Sequence, residues 1–284
     1  MDRLERGLSD RCGIRFISAD VTETAAILCD RHRCGPAATE ILSLALTAVA
    51  LLSSELENDE ECISAQWTVD GPIRGILVEG AHGGRLRGYS YQKTLGALDD
   101  QQPVDRHAVM GNGGGLTVIQ SVPGNLIYSA RLAAEPADIE KNVARFYNQS
   151  RQTPTAVALY VAREGHRVSR ATGLLVQKMP DGTTERFVDV LERFNSGEIH
   201  RGLVAGSGVD QLQIDDLIVV SGGDIGFSCR CSRQKIRNVV SSLPEQDLEE
   251  MMAERRVQTI TCHFCGEVYV IEQKELAELA SMND

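Results

Sequence analysis

The chain has 284 residues, 42% of them hydrophobic and 24% charged, with a formal net charge of −11. That length suits two domains, and the composition is that of an ordinary globular protein with material for a sizeable core. None of the segments 1–182, 183–228 and 229–284 is net basic, which argues against a general nucleic-acid binder, whose phosphate contacts need a basic face.

In chain order, the opening Met1-Asp2-Arg3-Leu4-Glu5-Arg6 lacks the apolar core of a secretory signal. The most apolar run, residues 41–52, is short for a bilayer span. Both point to the cytoplasm and to no membrane partner. Thiols stay reduced there, so the eight cysteines read as ligands, catalysts or redox sensors before structural disulfides. Cys12, Cys29, Cys34 and Cys62 lack ligand spacing and read as small core or surface residues.

Residues 1–182 read as one α+β domain. Pro36 suits a first helical position, and Ile41, Leu42, Leu44, Leu46, Val49 and Leu52 predict a largely buried helix. Strands are predicted over 63–69 and 73–79 around an Asp70-Gly71-Pro72 turn, then over 85–91, 116–122, 126–132, 155–161 and 170–177. Ile139, Val143 and Phe146 give one face of a helix over 136–147. The elements do not alternate as β-α-β, which disfavours a doubly wound sheet.

Residues 183–228 change character. Phe187, Val190, Leu191 and Phe194 have amphipathic helical spacing, yet frequent glycines break the segment. Its apolar content exceeds that of a plain linker, because such surface stabilises only when packed. Two readings remain open, a conditionally folded helical connector and an arm docked permanently on the first domain. Residues 229–284 form a small module with helices over 232–243, 244–254 and 275–282 and strands over 257–261 and 267–271. Ser242 and Glu245 have capping-box spacing for the second of these helices.

Cys229 and Cys231 with Cys262 and Cys265 make a C-x-C…C-x-x-C set, the donor number of a closed tetrahedral zinc site. Gly266 allows the backbone turn that follows the second knuckle ligand. A module of this size needs such a staple. A static site and a redox switch have the same spacing. His263, inside the knuckle, reads as a surface residue. Other motifs are weaker. Gly111-Asn112-Gly113-Gly114-Gly115 precedes a strand and lacks the lysine of a phosphate loop, so it reads as a flexible turn. Residues 57–61 read as a solvated acidic loop, and His82, His107, His166 and His200 as exposed or hydrogen-bonded. Nothing assembles a nucleophile, a base and an oxyanion site, so no enzyme is expected.

With those residues in hand, the chain resembles the 33 kDa heat shock protein family, the redox-regulated bacterial holdase chaperones. The likeness lies in Cys229-Arg230-Cys231-Ser232-Arg233 and Thr261-Cys262-His263-Phe264-Cys265 with Tyr269, and in four segments of the first domain, residues 70–74, 86–89, 148–155 and 173–177. Phe146-Tyr147 and Arg151 depart from the family pattern, as does the triple glycine at 113–115. The resemblance implies one zinc per reduced chain on the four cysteines. It further implies disulfides Cys229 with Cys231 and Cys262 with Cys265 on activation, a homodimer, and ATP-independent capture of unfolding client proteins. Phe187, Leu191 and Phe194 would then belong to the client-binding face. A static zinc-ribbon docking module and a thiol-disulfide oxidoreductase are the alternatives.

Overall fold

In the computed structural model, residues 1–280 are described except Ala134, Pro136, Ser207 and Arg255. The chain divides into two compact units, residues 1–228 and 229–284. Elements of the first unit run β1 (Arg3–Ser9), β2 (Ile14–Asp20), α1 (Thr22–Arg31), α2 (Pro36–Ser53), β3 (Cys62–Val69), β4 (Gly75–Ala81) and β5 (Arg85–Ser90). There follow α3 (Arg106–Met110), β6 (Gly114–Val122), β7 (Asn125–Ala133), α4 (Ile139–Arg145), β8 (Thr155–Glu164) and β9 (Arg167–Lys178). The unit closes with α5 (Thr184–Asn195), α6 (Glu198–Ala205), β10 (Ile218–Asp224) and β11 (Gly226–Phe227). Two sheets result, of order β10-β1-β2-β9-β8 and β11-β5-β4-β3-β6-β7, and this is the α+β class that the sequence predicts.

Helix α2 packs on β2, β8 and β9 of one sheet and on β3, β4 and β5 of the other. A helix enclosed on both sides must be apolar all round, and every residue of α2 except Glu40 is buried. It is long and apolar enough to cross a membrane, but it lies inside the fold. Its close approach depends on two glycines. A Cβ on Gly173 would lie 2.7 Å from Thr47 Cγ2, and one on Gly80 would lie 2.7 Å from Ser53 Cβ. Gly173→Val is therefore expected to destabilise the first unit by about 1–3 kcal/mol through overpacking. Gly223→Ala, where an added Cβ meets nothing within 4 Å, serves as the control, and urea midpoints make the comparison.

Helices α5 and α6 cover the face of the first sheet that α2 does not. Phe187, Val190, Ile199, Leu203 and Leu212 form a second core there with Ile14, Phe16, Ala158, Leu174 and Val176, and Leu191 and Phe194 pack at its margin. Residues 183–228 also supply β10, which pairs antiparallel with β1 across more than 200 residues of sequence. The first pairing strands, β1 and β2, and helix α1 were not expected from the sequence.

Several local expectations change. The helix expected over 136–147 begins at Ile139, with the Asp138 carboxylate capping Lys141 N–H at 3.0 Å; Pro136 is outside the described residues. The glycine-rich loop at 111–115 is pinned: Asp70 Oδ1 accepts from Asn112 N–H at 3.0 Å and Gly113 N–H at 3.1 Å, so an internal carboxylate already occupies those amides. In the acidic loop, Glu61 is buried and accepts from Glu57 N–H at 3.1 Å and Asn58 Nδ2 at 2.7 Å.

His200 on α6 donates to Glu140 Oε1 on α4 at 2.9 Å, and the same oxygen accepts from Leu159 N–H of β8 at 2.6 Å. The hydrogen bond to Glu140 raises the His200 pKa, partial burial opposes the rise, and Arg106 lowers it while Asp138 raises it. A raised histidine pKa stabilises the fold fully below the unfolded value of about 6.5. That contribution is lost as pH rises through the folded value. Removing the imidazole in His200→Gln should leave a stability profile that falls less between pH 6 and pH 8 than that of the parent, as read by urea midpoints.

Candidate metal centre

The second unit contains α7 (Arg233–Ser241), α8 (Glu245–Ala253), the hairpin β12 (Gln258–Thr261) and β13 (Val268–Ile271), and α9 (Gln273–Ala280). Residues 281 and 282 of the last expected helix are outside the described residues. The Ser232 hydroxyl caps α7 by accepting from Lys235 N–H at 3.3 Å. The expected capping box is not formed: Ser242 ends α7 and donates to Val239 O at 2.8 Å, and Pro244 stands at the start of α8. Glu275 on α9 ties down α7 through Arg233 at 2.5 Å and Arg237 at 2.6 Å. The apolar core is slight, with Val240, Leu248, Ile271, Leu276 and Leu279 buried at its centre.

Cys262 and Cys265 lie in the turn between β12 and β13. Two bonds form this knuckle: Gly266 N–H donates to Cys262 O at 2.8 Å, and Cys262 N–H donates to Glu267 O at 2.9 Å. Gly266 has φ of 71°, a conformation that costs glycine little. Cys229 and Cys231 face the knuckle from just before α7. The four Sγ atoms all lie within 4.8 Å of one another. The two short contacts run between the pairs, Cys229 to Cys262 at 3.7 Å and Cys231 to Cys265 at 3.4 Å. Sulfurs at the corners of a tetrahedron around zinc, each about 2.3 Å from the ion, would be separated by roughly 3.8 Å. The donor set and its spacing therefore fit a four-coordinate thiolate site.

The electrostatics point the same way. Burial works against the Cys229 thiolate, but hydrogen bonds from the Cys231 backbone and from the neighbouring thiols outweigh it and lower its pKa. Burial raises the Cys262 and Cys265 pKa values, and the three neighbouring thiols raise Cys265 further. Four thiolates this close repel one another, and a cation removes the conflict. The Tyr269 hydroxyl donates to Cys231 Sγ at 3.0 Å, a contact that orients a ligand from outside the donor set. Its sequence signal is the tyrosine four residues beyond Cys265. His263 is exposed.

The four cysteines thus converge. Phe187, Leu191 and Phe194 also lie together, in the second core of the first unit, where Phe187 is buried and the other two are partly so. Cys29 and Cys34 are buried, while Cys12 and Cys62 are intermediate.

The family model described as Hsp33 protein matches residues 2–272. The chain belongs to the Hsp33 family. Among similar proteins, the 33 kDa chaperonin of Clostridium novyi is 28% identical over 290 residues, covering 98% of this chain and 97% of that one. The 33 kDa chaperonin of a Cyanothece species is 28% identical over 289 residues, covering 98% and 96%. The crystal structure of the 33 kDa chaperonin, a heat shock protein 33 homologue, from Thermotoga maritima superposes with a TM-score of 0.85 at 21% identity, covering 99% of this chain and 98% of that one. At that identity the superposition establishes the shared fold of the Hsp33 family.

Proposed function

We propose that this protein is a cytoplasmic, ATP-independent holdase chaperone, not an enzyme, whose activity is held off by zinc on Cys229, Cys231, Cys262 and Cys265. The convergence of four sulfurs within 4.8 Å in a unit with so small a core carries the reading. Membership of the Hsp33 family, and the chaperonin names of its relatives, support it. When bound, zinc keeps the sulfurs as thiolates and contributes roughly 10–16 kcal/mol to folding of a small module.

The chain's residues supply the rest. Hydrogen peroxide, one molecule for each thiolate pair, accepts two electrons and two protons and leaves as two waters, forming the disulfides Cys229–Cys231 and Cys262–Cys265. Each disulfide removes two ligands. Loss of the centre removes free energy comparable to the roughly 5–15 kcal/mol by which whole domains are stable, so a unit with so small a core unfolds. Residues 183–228 act as a metastable connector between the domain 1–182 and the redox-sensing domain 229–284. Their undocking exposes Phe187, Leu191 and Phe194 to unfolding clients, and the activated chain dimerises. The C-x-x-C turn sits in a β-hairpin rather than at a helix start, which favours a sensor over an oxidoreductase.

Reduced, zinc-loaded protein treated with peroxide at elevated temperature should release one zinc per chain, lose four thiols and begin to suppress aggregation of a heat-unfolded client. Light scattering beside thiol counting is the measurement. Zinc release that leaves client aggregation unchanged would overturn the switch. Peptide mapping decides the pairing, since the shortest sulfur contacts run between the pairs, Cys229 to Cys262 and Cys231 to Cys265.

A further inference from the structure

We propose that Cys29 and Cys34 form a second redox site, a dithiol in the first unit that a hydroperoxide converts to an intramolecular disulfide independently of the four-cysteine centre. The backbone brings the two residues together. Helix α1 ends in a Schellman turn: Cys34 N–H donates to Cys29 O at 2.9 Å, and Arg33 N–H donates to Asp30 O at 2.9 Å. Arg33 holds the left-handed position at φ 52°. In this motif the side chains at the places of Cys29 and Cys34 touch, commonly as an apolar contact. Here both are thiols, and each shifts the titration of the other.

The surroundings divide the labour between them. The Cys34 pKa is lowered first by the neighbouring Cys29 thiol and then by the Lys93 ammonium, against burial and the Asp99 carboxylate. Ser90 is fully buried, and among the described residues its hydroxyl has no partner in hydrogen-bond geometry. Lys93 is anchored to the Ser90 carbonyl. The Cys29 pKa is pushed up, chiefly by the neighbouring Cys34 and then by burial, so Cys29 keeps its proton. The Thr39 carbonyl and the Ser43 hydroxyl, each 3.9 Å from its sulfur, complete its surroundings. Both cysteines line a cavity of about 640 Å³, walled also by Ile27, Arg33, Thr94 and His166, which gives a small hydroperoxide access to otherwise buried sulfurs.

The chemistry balances without a further reagent. Cys34 thiolate attacks the terminal peroxide oxygen, the O–O bond breaks, and the alkoxide leaves and takes up a proton as the alcohol. Cys34 is then a sulfenic acid. The Cys29 sulfur attacks it, the S–O bond breaks, and hydroxide leaves with the Cys29 proton as water. Two thiols lose two electrons and the hydroperoxide gains them. The disulfide forms when the two sulfurs close to a bond of about 2.0 Å.

The test uses the full-length, reduced, zinc-loaded chain and cumene hydroperoxide. Samples are denatured and alkylated at intervals, and digestion separates Cys34 from Cys62 before mass spectrometry. The expected product is a Cys29–Cys34 cross-link lighter by two hydrogens, formed before Cys62 or Cys12 is oxidised. In Cys29→Ala, dimedone should trap a sulfenic acid on Cys34, and in Cys34→Ala oxidation of Cys29 should slow at least about tenfold. Cys29 and Cys34 both remaining alkylatable after Cys12 and Cys62 have reacted would overturn the proposal. So would Cys29 reacting at the parental rate in Cys34→Ala. The peptides of the four-cysteine centre are read separately, so failure there leaves this result intact.

Discussion

Replacing Cys265 by serine should abolish metal binding and unfold the second unit while leaving the two large sheets folded. Cys265 is the most buried of the four sulfurs, 4% exposed. A structural site needs four good ligands, and a serine hydroxyl is a poor substitute for a thiolate. What remains is the slight core around Leu248, Ile271 and Leu276, together with the Glu275 ion pairs. Partly exposed ion pairs contribute little, at most about 1 kcal/mol each. Set against a site worth roughly 10–16 kcal/mol, they cannot hold α7, the hairpin and α9 together. Metal content should fall from one ion per chain to near zero. Amide exchange in β12, β13 and α9 should become unprotected while β3, β4 and β6 keep their protection. Protected β12–β13 amides in a metal-free Cys265→Ser chain would show that the apolar core alone suffices. Tyr269→Phe is a milder companion: it removes only the 3.0 Å donor to Cys231, and metal affinity should drop about 10–100-fold, the range for such outer contacts.

The four-cysteine cluster was legible because its information is local. Cys262, Cys265 and Gly266 sit in one turn, and two-residue and three-residue cysteine spacings state the donor geometry by themselves. The β3–β4 hairpin was legible for a similar reason, since residues 63–69 alternate buried and outward positions and Trp67 falls on the buried side. Strand β1 was not, because Arg3-Leu4-Glu5-Arg6-Gly7-Leu8-Ser9 is largely polar and owes its strand state to partners on both sides. One partner, β10, lies at the other end of the unit. Its Ile218, Val219 and Val220 are exposed, so no burial pattern marked it. Ser242 misled because spacing alone does not reveal that the hydroxyl is used by the helix before it. The turn that joins Cys29 to Cys34 has no sequence signal, because the left-handed residue between them is Arg33, not the glycine that usually announces such a turn.

Phe187→Ala should give a chain that suppresses client aggregation while still reduced and metal-bound. Phe187 is 5% exposed and stands at the head of the α5 stripe that continues through Val190, Leu191 and Phe194. Deleting a buried phenyl ring costs about 3–5 kcal/mol where the site cannot collapse. The loss falls on a segment with few polar ties. Arg186 reaches the Arg11 carbonyl, the Thr183 hydroxyl caps α5 at 3.5 Å, and the His200–Glu140 bond fastens α6. A local unit docked by only a few kcal/mol opens in most molecules after such a change, because about 1.4 kcal/mol shifts the population tenfold. Amides of α5 and α6 should then exchange rapidly while the β3–β4–β6 ladder stays protected, which separates undocking from global unfolding. Undocking exposes the remaining apolar residues of α5 and α6 and the face of β2, β8 and β9 beneath them. Rapid exchange in α5 and α6 with no suppression of client aggregation would remove this face from the client-binding reading, whatever the fate of the metal centre. Suppression without oxidant would identify the docking of α5 and α6, rather than the sulfur chemistry itself, as the step that conceals the binding surface.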